Sequence, residues 1–127
     1  MIAAAALLLV ASAATAETMN CGSDRSEATR MACALADLKD AEATLEWSLE
    51  ARIRNARIND EAAPRSPTRE SFVLEAQEAW LVYRETHCDG QYLGSLTISL
   101  EDVNRVWCRT RLTKERAAEL VYDFIVD

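Results

Sequence analysis

The chain has 127 residues, with 21 acidic side chains against 14 Lys plus Arg, one histidine and a net charge of −7. That length fits one domain, and that charge repels nucleic acid and anionic lipid while favouring basic partners. The sequence contains no Gly-rich phosphate loop, H-E-x-x-H, C-x-x-C-H or G-x-S-x-G, so the usual signatures of nucleotide, zinc, haem and acyl-transfer chemistry are missing.

Residues 2–14 are an unbroken run of 13 small or apolar positions, and Ala14-Thr15-Ala16 then fits the small-x-small rule for signal peptidase. A membrane-spanning helix needs about 20 apolar residues, so the run reads as an export signal over 1–16 and not as an anchor. No Lys or Arg precedes it, which leaves the amino terminus as the only positive charge there. Thr18-Met19-Asn20 before Cys21 lacks the small apolar residues of a lipidation site. Cleavage leaves 17–127 as one domain, periplasmic or secreted, with no stable membrane insertion.

Four cysteines, Cys21, Cys33, Cys88 and Cys108, form an even set in an exported chain and read as two disulfides. Zinc is the rival, but the spacings are wide and His87 is the sole histidine. Three pairings are possible. The local one, Cys21 with Cys33 and Cys88 with Cys108, is preferred because each pair falls across an expected helix end. Neither a metal nor a cofactor is expected.

After a Gly22-Ser23-Asp24 turn, Leu35, Leu38, Leu45, Leu49 and Ile53 fall on one helical face, with Glu42 set into it. Ser23 or Ser26 offers a cap, and the helix is expected from about Ser26 to Ile58. Pro64 and Pro67 then break the chain. Ser66 as cap and Pro67 as first residue start a second helix, expected to reach about His87 and to stop at Asp89-Gly90. Its stripe is Val73, Gln77, Trp80 and Arg84, flanked by Phe72, Ala76 and Tyr83. A loop over 89–97 follows, and Ser99-x-x-Asp102 resembles a capping box. The rest carries Val103, Trp107, Ala117, Leu120 and Phe124 either as two helices, with a new start at Thr113, or as one. The fold class is therefore all-α, a small disulfide-stapled bundle of three to four helices with one long helical hairpin.

Gln77 and Arg84 on a core-facing stripe need partners, because an unpaired buried polar group or charge costs several kcal/mol. Glu42 is the obvious one for Arg84, in an ion pair beneath Trp80 that ties the two long helices together. His87 beside Cys88 does not make a dyad, since sequence neighbours on a helix do not face each other. Glu75 and Glu78 read as a solvated face.

The segment A-Q-x-A-W-x-x-Y-R-x-x-x-C, present here as Ala76 to Cys88, resembles the signature of the LprI-like family of exported bacterial proteins. The spacing of Cys21 and Cys33, with Glu27 and Met31 between, is similar to that family's amino-terminal pair. Gly94-Ser95 resembles its Gly-Ser loop, and Cys108 with Leu112-Thr113-x-x-Arg116-Ala117-Ala118-Glu119-Leu120 resembles its closing segment. Glu42, Glu46 and Leu49 depart from the Asp, Asn and Tyr of the family pattern. The resemblance implies the fold strongly and, through a namesake that inhibits lysozyme, a non-enzymatic role against a lysozyme-type muramidase.

An acidic inhibitor gains electrostatic steering toward a basic lysozyme-type partner. The stretch Asp89 to Asp102, bearing Ser95, Glu101 and Asp102, is the expected cleft-plugging loop. Trp47 falls off the apolar stripe and is expected at the surface, where an exposed tryptophan serves as an anchor for a partner. Trp80 and Trp107 are expected in the core. The alternative is an envelope protein that holds a small apolar ligand or stabilises another exported protein. A cell-wall enzyme is a third reading, disfavoured because no catalytic constellation is evident.

Overall fold

The protein is described by a computed structural model over residues 21–22, 26–92 and 98–126, and those residues form three helices. They are α1 (Glu27–Ala62), α2 (Arg69–Gln91) and α3 (Ile98–Val126). The export signal and Gly94-Ser95 lie outside the described residues. Thr113 starts no fourth helix; it sits in the middle of α3, fully buried.

Ala34 packs with Val103 and Val106, while Leu45 packs with Ala117 and Leu120, so α1 and α3 run parallel. The antiparallel α2 joins them. Along α1 the seam is Ala34, Leu38, Ala41, Leu45 and Ser48; along α3 it is Val103, Val106, Thr110, Thr113, Ala117 and Leu120. Both rows alternate steps of 3 and 4, the spacing that keeps one stripe turned toward a neighbouring helix. Small side chains, alternating with leucine along α1 and successive at Thr110, Thr113 and Ala117 on α3, let the helices approach closely. Two of the buried hydroxyls are satisfied locally: Ser48 Oγ donates to the Thr44 carbonyl at 2.9 Å and Thr110 Oγ1 to the Val106 carbonyl at 3.0 Å.

Leu38, Leu45 and Leu49 of the expected α1 stripe pack into the core, and the seam corrects it at Leu35. Leu35 is half exposed, because the buried face is set by Ala34 and Ala41, one position removed from where bulk alone places it. Trp107 is corrected too. Its neighbours Val106 and Cys108 are buried, and a turn of about 100° per residue swings Trp107 outward to 48 % exposure.

Ser26 caps α1, accepting from the Thr29 amide at 3.3 Å. The helix runs one turn past the expected end at Ile58, and Asp60 in that turn reaches the start of α2. Its two carboxylate oxygens accept from the Arg69 and Glu70 amides at 3.0 and 3.1 Å, filling donors that a helix start leaves open. Thr68 caps α2 through the Ser71 amide at 3.1 Å, so the expected Ser66 cap and Pro67 start are displaced by two residues. The Ser66–Pro67 peptide is cis. At the other end of the hairpin, α3 begins at Ile98, one residue ahead of the serine that the capping-box pattern offers.

The disulfides are Cys21–Cys33 and Cys88–Cys108, with Cα separations of 5.9 and 5.6 Å. They close sequence separations of 12 and 20, each contributing on the order of 3 kcal/mol in the chain-entropy account. The second bolts α2 to α3, and it explains why Asp89-Gly90 does not stop α2. With Cys88 pinned and Asp89 held by Arg109 at 2.7 Å, the final turn stays docked despite its glycine.

Gly90 has no atom within 4 Å of where a Cβ would stand. Gly90→Ala is therefore expected to stabilise the protein by about 0.5 kcal/mol, at the low end of the helix-propensity gain because the site is near the helix end. Thermal melts of the two proteins check this; a lower midpoint for the alanine variant would mean that the last turn of α2 is not helical.

Candidate functional site

The polar centre of the bundle is Arg84. It lies on the inner face of α2, its side chain 11 % exposed, and it touches all three helices. Nη1 donates to Glu42 Oε1 on α1 at 3.1 Å and to Thr113 Oγ1 on α3 at 3.0 Å. Nε donates to Glu85 Oε1 at 2.8 Å, and the guanidinium carbon lies 5.4 Å from the centre of the Trp80 ring. Trp80 is packed against both the Leu45–Ala117–Leu120 cluster and the Cys88–Cys108–Leu112 cluster, so the cation sits against an aromatic shared by two parts of the core. Two turns earlier along the same face, Gln77 is buried and its Oε1 accepts from Arg116 Nε at 3.3 Å. The inward polar residues of the tryptophan segment thus have partners on neighbouring helices. Tyr83 does not join them: it is 52 % exposed, with its ring 5.3 Å from that of His87.

Toward the disulfide end the charges form a ladder. Glu85 bridges Arg84 and Arg109, Arg109 also holds Asp89 at 2.7 Å, and Arg105 holds Asp102 at 2.8 Å and Glu101 at 3.4 Å. Burial alone would raise the Glu85 carboxyl, but hydrogen bonds and positive charge from Arg109 and Arg84 outweigh it and hold the group below the usual carboxylate range. The same contest holds Asp60 low, where burial is outweighed by the Arg69 and Glu70 amides and the Arg69 side chain. Carboxyls held low stay ionised at neutral pH and are poor proton donors. Among the described residues, no group of three or more His, Cys, Asp or Glu side chains could hold a metal ion.

Of the residues expected to meet a partner, Asp89 and Asp102 are engaged with arginines, and Glu101 is 8 % exposed. Both flanks of the expected Asp89–Asp102 loop are helical, so the segment between α2 and α3 is much shorter than the sequence pattern suggests, and Ser95 lies outside the described residues. Trp47 stands apart from these, on α1, and is 61 % exposed.

Trp47 forms one wall of a groove of about 620 Å³ lined by α1 and α3 alone. Ala41, Ser48 and Ala117 make its floor, Tyr122 and Val121 its opposite wall, and Asp37, Asp40 and Lys114 line it as well. A smaller recess of about 430 Å³ lies among Arg52, Arg69 and Arg116, but these arginines already have partners within the chain. Sequence reasoning misses Thr113, Arg109, Arg116 and Tyr122. Thr113 is legible in the 3-and-4 seam of α3, while the arginines carry no signal beyond their number.

Fold and site together define a helical protein closed by two disulfides, with a buried polar core and exposed aromatic side chains. The chain belongs to the LprI family: the family described as lysozyme inhibitor LprI matches over residues 18–120. Comparison with curated proteins and with solved structures returned no match.

Two outcomes follow from the Arg84 centre. Arg84→Met strands the buried Thr113 hydroxyl and is expected to destabilise by about 2–4 kcal/mol, whereas Glu42→Gln leaves Arg84 its other partners and is expected to cost about 1 kcal/mol or less. Denaturant titrations check both, and equal effects would contradict a centre carried by the arginine. Glu85, held low in the folded state, contributes stability that is fully present above its unfolded value near about 4.3 and lost as pH falls through the folded value. Melts from pH 7 to pH 3 should therefore fall less steeply below about pH 4.5 for Glu85→Gln than for the wild type.

Proposed function

We propose that this chain is an exported, non-enzymatic protein that binds and inhibits a lysozyme-type muramidase in the cell envelope. The observation that carries the reading is membership of the LprI family over residues 18–120. Several features support it. Both cysteine pairs are closed, which suits an oxidising compartment, and no helix among the described residues is long and apolar enough to cross a membrane. The net charge of −7 steers the protein toward basic muramidases. The carboxyls of Glu85 and Asp60, held low by arginines and helix-start amides, also fit a scaffold better than an acid–base catalyst.

The test is a cell-wall turbidity assay with oxidised protein recovered after export, added in molar excess to chicken-type, goose-type and invertebrate-type lysozymes. The expected result is stoichiometric loss of lysis against at least one type, stronger at low than at physiological salt. Full lysis by all three at both salt concentrations would overturn the reading.

A further inference from the structure

We propose that the α1–α3 groove beside Trp47 receives a basic segment of the muramidase, an arginine or lysine flanked by an apolar side chain; this rests on the inhibitor reading above. The groove offers both halves of that chemistry. Trp47 and Tyr122, 61 % and 66 % exposed, wall a trough floored by small side chains, and aromatic faces accept both apolar groups and cations. Asp37 and Asp40 line the same groove, about three and two turns before Trp47 on α1, and among the described residues neither has an ion-pair partner.

The charge distribution singles out this face over the disulfide end. There Glu85, Asp89, Glu101 and Asp102 are all answered by Arg84, Arg105 or Arg109. A partner docking at that end would have to break ion pairs to use those acids. At the groove the acids are available, offset only by Lys114. A second copy of the chain is a poor occupant, because it would bring the same net charge of −7 against the same acids.

The experiment measures affinity by calorimetry for the muramidase that the wild-type protein inhibits. Four variants are compared at low and physiological salt: Trp47→Ala, Tyr122→Ala, the double Asp37→Asn/Asp40→Asn, and Val82→Ala. Val82 is a control on α2, 67 % exposed and away from the groove. All the altered side chains are at the surface, and circular dichroism with thermal melts verifies folding. Trp47→Ala is expected to weaken binding about tenfold or more and Tyr122→Ala by at least about threefold. The double variant should lose affinity chiefly at low salt, with a shallower salt dependence, and Val82→Ala should stay within about twofold.

If the wild type inhibits while Trp47→Ala and the double variant bind as it does, the groove is overturned and the inhibitor reading stands. Loss at Trp47 with an unchanged salt dependence in the double variant would overturn the basic occupant and point to an apolar one. A wild type that inhibits none of the three lysozyme types would overturn the inhibitor reading, and this proposal with it.

Discussion

Arg84 is the constraint on which the arrangement of the three helices depends. A guanidinium placed inside a protein must spend its hydrogen-bond donors well, and here they go to one carboxylate from α1, one from α2 and a hydroxyl from α3. Such a centre adds little net stability over a well-packed apolar one. What it does is penalise alternatives. Sliding α2 against either neighbour would leave a charge or the fully buried Thr113 hydroxyl without a partner. The Cys88–Cys108 bridge fixes the same register one turn away, and the Gln77–Arg116 hydrogen bond fixes it on the other side.

Part of this is legible in the amino-acid sequence. Glu42 and Arg84 stand out because each is charged on an otherwise apolar stripe, and polar groups facing a core must find one another. The local cysteine pairing follows from where the expected helices end. The α1 stripe is read correctly at Leu38, Leu45 and Leu49 but not at Leu35, because leucine dominates any hydrophobic pattern while the contact also runs through Ala34, Ala41 and Ser48. Close helix packing selects small side chains, and these carry almost no hydropathy signal. Thr113 leaves two readings open for a related reason: threonine is a good helix cap, and nothing local tells a capping hydroxyl from one buried to accept from Arg84.

The site is harder to read than the fold. Acids in a sequence look alike, but in the folded chain they divide into those that arginines neutralise and those left to solvent. Asp89, Glu101 and Asp102 belong to the first kind, since α3 carries arginine one turn away on the same helix and Arg109 extends to α2. Trp47 draws notice because it falls off the stripe, but its partner across the groove, Tyr122, is remote in sequence and comes close only because α1 and α3 run parallel. A protein of net charge −7 thus has a largely self-neutralised side, which holds the bundle together, and a side with unpaired carboxylates beside exposed aromatics.

The most direct measurement of that division is zero-length carbodiimide cross-linking, read by mass spectrometry, between the protein and whichever muramidase the turbidity assay identifies as inhibited. Only a carboxylate within bonding distance of a partner lysine is captured. Amide links are expected from Asp37 or Asp40 to lysines of the muramidase, with Asp89 and Asp102 unlinked. Links confined to Asp89, Glu101 or Asp102 would contradict the division, placing the partner on the end where arginines already hold the acids.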